Sequence, residues 1–456
     1  MLLHKGGPQA NGQVKSEKQP TDQLGYRIVF FLWFLFLFEP ARLVAYYTGL
    51  DPLKWLPTIL LIGATIHWLR SPLRKYNYKW FMIFLLINLL GTVVAFWDGN
   101  WGMARLVNRQ IFQFFMLGVL TFTFFDSWEK IYKLFFVYFL YFLFFAVWGI
   151  YGLKVSPINP SSDPGSRIII AWHPWLDNRD GFGPLMVMGI AFSYYFYQAT
   201  GVRKLRILSM ICLTLCFAGV VISFGRGVFL GMVGTLVFIL AKSKRKVAAA
   251  FTLAIMVGIF IAAQSIIAPG SMYWETMQSI LDGTSEGTGA DRKILWGFAW
   301  KVFLNNPVLG VGTSNFGVAA AKQIPSEEAI KFGYTQGRLW GRSLHCAPLT
   351  ILCEYGLIGT LVFIILVIDF VITNRTNGRR TFAFLRKSGG KKAQTVSIIE
   401  ARALQAFSSG LMASFVAFWV NGMFYEIIYA SFFWNLIVLN RSIQIHLMQV
   451  NSTAAG

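Results

Sequence analysis

Residues 207–241 read ILSMICLTLCFAGVVISFGRGVFLGMVGTLVFILA, thirty-five residues with a single charge, Arg226. At about 1.5 Å of rise per residue an unbroken helix here would run roughly 50 Å. The hydrocarbon core of a bilayer is only about 30 Å thick. The stretch therefore predicts two short helices meeting in a tight turn at Ser223–Gly227, with Arg226 at the lip where they meet. A guanidinium among so many apolar residues is costly, and such charges face a cavity or a partner.

The rest of the chain fits that reading. Hydrophobic residues make up 55% of the 456 positions and charged residues only 13%, a membrane composition and not that of a soluble globule. The aromatic share of 17% suits interfacial belts and helix packing. The formal charge of +21 would suggest a nucleic-acid binder in a soluble chain, but here it falls in short clusters between apolar runs. Nucleic acid is therefore not an expected partner.

Twelve apolar segments are visible, near 27–47, 53–69, 79–97, 106–125, 131–153, 182–199, 204–222, 226–241, 247–267, 346–373, 401–421 and 426–446. The first is interrupted by Glu39-Pro40, where a kink is expected. Basic clusters fall in alternate loops, at Arg70–Lys79, Arg203–Arg206 and Lys242–Lys246; the last, 374–399, has seven Lys/Arg and no acid. Twelve spans with both termini cytoplasmic satisfy all of these clusters.

The expected layout is all-α and polytopic. A polar tail spans residues 1–25 and nine spans lie within 26–267. A large outer loop with short helices covers 268–345, and three more spans within 346–446 enclose a basic loop at 374–400. Residues 447–456 form a C-terminal tail. The outer loop has seven Lys/Arg and six Asp/Glu, a balance that reads as a folded element.

The four cysteines and five histidines show no CxxC, HExxH or similar spacing, so neither a metal site nor a disulfide framework is indicated, and no cofactor is expected. Within the outer loop, TGADRKILWGFAWKVFLNNPVLGVGTSNFG reads as a helix stopped at Pro307 and followed by a glycine-rich turn. Arg292 and Trp296 share a face of that helix, a pattern that also fits an amphipathic helix on the membrane surface.

In RSLHCAPLTILCEYGLIG, Ser343 suits an N-cap and Pro348 the first turn. His345 would then sit in the first turn, where the helix dipole disfavours imidazolium. A neutral histidine can accept a hydroxyl proton; the alternative is an interfacial histidine bonded to water. Glu354 reads as an intramembrane carboxylate in need of a partner, and Gly356 and Gly359 as packing glycines.

Three of these pieces, in this order, resemble the O-antigen ligase/polymerase family of bacterial envelope glycosyltransferases: SFGRGVFLG at 223–231, DRKILWGFAWKVFLNNPVLGVGTSNFG at 291–317 and HCAPLTILCEYGLIG at 345–359. The resemblance implies a C-type membrane glycosyltransferase fold and an inverting, metal-independent reaction. The donor would be a glycan on an undecaprenyl diphosphate carrier at the periplasmic face of the inner membrane. A ligase passes the glycan to a lipid A core sugar, and a polymerase passes it to another carrier-linked unit.

The same resemblance assigns the diphosphate to Arg226 and Arg292 and the acceptor hydroxyl to His345. Arg105, Arg109, Trp296, Asn315 and Glu354 are further candidates for binding the diphosphate or the acceptor. The stretch DNRDGFG at 177–183 is either part of the acceptor path or a capped turn before the sixth span. A transporter of lipid-linked sugars would also explain isolated intramembrane charges, though not the ordered motifs. Cys346 stands where relatives often have a polar residue.

Overall fold

The computed structural model describes residues 22–51, 54–70, 79–97, 101–159, 168–243, 246–267, 288–387 and 398–455. All secondary structure among them is helical. The helices begin with α1 (Gln23–Phe38), α2 (Pro40–Thr48), α3 (Leu56–Arg70), α4 (Lys79–Trp97), α5 (Trp101–Phe124) and α6 (Trp128–Val155). Then come α7 (Arg179–Ala199), α8 (Arg203–Ser223), α9 (Arg226–Lys242) and α10 (Lys246–Ile267). A smaller element with its own core, labelled the outer element after the sequence reading, holds α11 (Thr288–Asn305), α12 (Phe316–Gln323), α13 (Ser326–Lys331) and α14 (Gln336–Leu339). The chain closes with α15 (Ala347–Lys387), α16 (Ile398–Gly422) and α17 (Ser431–Ala455).

Each of the twelve apolar segments is helical, but the count of twelve membrane spans is not established. Among the described residues four helices are long and apolar enough to cross: Trp128–Val155, Arg203–Ser223, Ala347–Ala383 and Ile398–Gly422. A fifth is the pair α1–α2, bent by 49°, with Glu39 in the left-handed region at φ 43° before Pro40. Two causes are visible: α9 is only 17 residues long, and other helices are enclosed. A helix enclosed by others, such as α7, is buried along most of its length and accommodates Ser193 and several glycines without contact with lipid. Such a helix does not need lipid-like hydropathy.

The ends also differ from expectation. Asp22 caps α1, its carboxylate accepting from the Gly25 N–H at 2.8 Å, so helix begins inside the stretch read as tail; residues 1–21 lie outside the described residues. At the other end α17 continues to Ala455. The basic loop is shorter than read, because α15 runs on to Lys387 and only 388–397 fall outside the described residues.

The bundle is built around α7, α8, α16 and α6. Lipid tails are as apolar as leucine, so dispersion and aromatic contacts hold these helices together more than the hydrophobic effect does. Phe135 stacks on Phe407 with ring centroids 4.2 Å apart, and Phe139 on Phe196 at 4.5 Å. Such pairs contribute about 0.5–1.5 kcal/mol each. At one end of the bundle, away from the outer element, asparagines join α15 to its neighbours. Asn374 donates to the Ser408 carbonyl at 2.8 Å, and Asn377 to the Asn440 carbonyl at 3.0 Å.

The outer element has its own small core, including Leu295, Phe298, Val302, Phe316, Ile324 and Leu344. It is tied into the bundle where α15 breaks. Gly356 adopts φ 61°, ψ −164° inside the helix, a conformation open essentially only to glycine. The segment after Pro307 fills the gap. Leu357 N–H donates to the Pro307 carbonyl at 2.8 Å; in return Val311 and Gly312 donate to the carbonyls of Cys353 and Glu354 at 3.1 and 2.9 Å. Gly356 is therefore a break in the helix, not only a packing contact.

Candidate functional site

The turn between α8 and α9 falls where the sequence placed it. Phe224 closes α8 at φ 49°, Gly225 precedes α9, and Arg226 is its first residue, half-buried. The first turn of α9 has no acidic residue, so the positive end of the helix dipole and a guanidinium share one place. Both favour an anion.

The hairpin turn at 423–430, between α16 and α17, presses against this point. A Cβ on Gly225 would lie 3.0 Å from the Tyr425 hydroxyl, and one on Gly227 would lie 2.7 Å from Phe424 Cβ. Tyr425 is buried, and its ring lies beneath Arg292 of α11, whose guanidinium carbon is 5.8 Å from the ring centroid. Burial pushes the Tyr425 phenol upward in pKa, as does the Asp180 charge, while Arg292 and Arg179 pull it back. Arg292 thus lies over the same tyrosine on which the glycines flanking Arg226 pack.

His345 is placed differently from its expected position. Helix α15 begins at Ala347, so His345 lies ahead of its first turn, at φ 48°. The dipole argument for a neutral imidazole loses force there. What holds the residue is a set of side chains from elsewhere. Trp296 Nε1–H donates to the Leu344 carbonyl at 3.0 Å. The Glu426 carboxylate accepts from the Ser343 hydroxyl and the Leu344 N–H, and its charge acts on His345. Burial raises the Glu426 carboxyl above the usual range, and these hydrogen bonds and the histidine bring it partly back. Ser343 therefore holds the loop through Glu426 instead of capping the helix. Nδ1 of His345 lies 3.3 Å from Asp180 Oδ2, in the first turn of α7.

Strain gathers in the same region. Among the described residues four that are not glycine have positive φ, and Phe224, Ser314 and His345 are three of them. Each left-handed residue costs about 1–3 kcal/mol and persists only where its surroundings fix it, most often at functional sites.

The partner of Glu354 is the glycine-rich turn. Its carboxylate accepts from the Ser314 N–H at 2.6 Å, the Phe316 N–H at 3.4 Å and the Tyr429 hydroxyl. It caps the start of α12 and fastens the outer element to α15. Asn315 is fully buried and its amide donates to the Val311 carbonyl at 2.7 Å, within the same turn. Glu354→Ala would leave three donors without an acceptor, a loss of about 1–3 kcal/mol, the cost of leaving a buried donor unsatisfied. The expected result is a clearly lower Tm in detergent, and an unchanged Tm would contradict this role.

Arg105 and Arg109 are exposed near the start of α5. Between them Asn108 donates to the Asn88 carbonyl at 2.8 Å, and Asn88 accepts from the Tyr355 hydroxyl at 2.9 Å, so this end of α5 is coupled to α15. The stretch 177–183 forms a capped turn, Asn178 accepting from the N–H groups of Asp180 and Gly181.

Residues 211–364 match the O-antigen ligase family. The match covers about a third of the chain and contains all three motifs on which the resemblance was read, which is therefore borne out. No curated protein matches the chain significantly. The chain is thus a multi-pass helical membrane protein, similar over this segment to a family of ligase- and polymerase-type glycosyltransferase enzymes that build polysaccharides. Arg226, Arg292 and His345 lie inside the family segment, whereas Asp180, Tyr425, Glu426 and Tyr429 lie outside it.

Of these last four, Asp180 stood out only as part of the 177–183 stretch, and the other three did not stand out at all. Their signal was an acid among aromatics in FYEIIY at 424–429, on a turn otherwise flanked by apolar spans.

Proposed function

We propose that this end of the bundle is the active site of a ligase-type glycosyltransferase, at the periplasmic face of the bacterial inner membrane. The donor is a glycan on undecaprenyl diphosphate, and the acceptor is a hydroxyl of a lipid A core sugar. His345 takes the acceptor proton as the acceptor oxygen attacks the anomeric carbon from the face opposite the diphosphate. The carbon–oxygen bond to phosphate breaks, its electron pair leaves with undecaprenyl diphosphate, and the configuration inverts. No metal is required in this scheme, because two guanidinium groups and the start of α9 meet the developing charge. Exposed Arg105 and Arg109 extend the positive surface on which the diphosphate would approach.

The observation that carries this reading is the Tyr425–Glu426 turn. Tyr425 abuts the backbone around Arg226 and lies under Arg292, while its neighbour Glu426 holds the residues leading into His345. Three motifs remote in sequence thus converge on one short hairpin. Trp296, Asn315 and Glu354 support the reading as the frame that holds these groups.

Purified protein in nanodiscs, given lipid-linked donor and lipid A core acceptor, is expected to form a new glycosidic bond. His345→Gln should slow it by about 10²–10⁴-fold, the usual contribution of a general base. Movement of donor without any new bond would replace this reading by a transporter. Longer carrier-linked chains with no acceptor product would replace the ligase assignment by a polymerase.

A further inference from the structure

We infer that Asp180 is a positioning residue for His345: its carboxylate holds the proton on Nδ1 and leaves Nε2 as the nitrogen that takes the acceptor proton. This rests on the reading of His345 as the base. The two residues are 165 positions apart, yet Asp180 Oδ2 lies 3.3 Å from His345 Nδ1. Catalytic hydrogen bonds are commonly this long before substrate binds.

The carboxylate is well prepared for the task. It sits in the first turn of α7, where the helix dipole favours its charge. Its backbone N–H is fixed by Asn178 at 2.9 Å, and the next residue, Gly181, packs directly on the Trp175 carbonyl. Its other oxygen, Oδ1, lies 3.9 Å from Arg179 Nε, so one carboxylate faces both a guanidinium and the imidazole. The side chains of His345 and Asp180 keep 33% and 29% exposure, which leaves the pair accessible to a substrate.

The other groups around the ring have separate duties. From the hairpin, Glu426 is engaged by Ser343 and Leu344 and acts on the imidazole through its charge, without an ion-pair contact to the ring. From α11, Arg292 lies over Tyr425, and Arg226 opens α9 beside the same tyrosine. Among the described carboxylates at this end, Asp180 is the one at ion-pair distance from the ring. A carboxylate on Nδ1–H selects the tautomer with its lone pair on Nε2 and stabilises the imidazolium once the acceptor proton arrives there. That proton then leaves to water, and the Nδ1 proton stays in place throughout.

The test compares wild type with Asp180→Asn, Asp180→Glu and His345→Gln in nanodiscs. The readouts are transfer kinetics across pH and ¹⁵N spectra of labelled histidine, with His345→Gln supplying the assignment. Asp180→Asn is expected to lower kcat by about 10²-fold or more with KM within about twofold. It should also change the pH profile of transfer, since a neutral amide replaces the carboxylate at Nδ1. The His345 tautomer signal should shift, and Asp180→Glu should recover part of the rate.

Asp180→Asn with an unchanged rate and pH profile, while His345→Gln is inactive, would overturn the role of Asp180 alone. Equal losses in the Asn and Glu variants with an unaltered tautomer signal would do the same, reducing the contact to architecture. Full activity of His345→Gln would instead remove the base on which the inference stands.

Discussion

Arg226→Lys is expected to lower the glycan-transfer rate by about two to three orders of magnitude while leaving the protein folded and in the membrane. Lysine keeps the charge, so simple electrostatic attraction survives. What it loses is the planar fork that engages two phosphate oxygens at once. Removing one preorganised donor to a developing negative charge costs about 2.7–4 kcal/mol, which is that loss in rate. Arg226 has a special claim on this role because it opens α9 and adds its charge to the start of the helix. The same replacement at Arg292 should be comparably damaging, since its guanidinium is oriented over the Tyr425 ring. A wild-type rate in either variant, measured with purified protein and lipid-linked donor, would remove that arginine from the mechanism.

The second large effect concerns assembly. Gly356→Ala is expected to prevent formation of a stable protein, seen as loss of a monodisperse peak in detergent. Gly356 occupies a backbone region that L-residues avoid, and an added Cβ would press on the Val308 carbonyl. That carbonyl belongs to the segment that repairs the broken helix ladder, so relief of the clash would cost the hydrogen bonds from Leu357 and Ile358. Gly310, on the other side of the contact, is at φ 72° with the Glu354 backbone where its Cβ would be. Gly356→Ala should therefore damage transfer and folding together, unlike Arg226→Lys. A folded, active Gly356→Ala protein would show that the break in α15 is not required.

The two effects differ in how far the sequence announced them. Apolar runs become helices whichever way they face, so all twelve segments were legible; whether each crosses a bilayer depends on what encloses it, and hydropathy does not record that. Arg226 stood out because a lone cation among thirty-four uncharged neighbours is costly unless a ligand or a partner meets it. Gly356 did not, since a glycine that packs and a glycine that breaks a helix look the same in EYGLIG. His345 was singled out and Pro348 does fall in the first turn, but Ser343 mimics an N-cap for a helix that the structure starts later, at Ala347. Asp180 and Glu426 come from other hairpins, and their contacts with the His345 loop are non-local. Nothing in the local pattern of the 343–349 segment points to them.

The most direct measurement is a cryo-electron microscopy map of the protein in nanodiscs with an undecaprenyl diphosphate-linked glycan bound. The account predicts diphosphate density within hydrogen-bonding reach of the guanidinium groups of Arg226 and Arg292, with the anomeric carbon on the side of His345. Diphosphate density at the opposite end of the bundle, or away from both arginines, would contradict it.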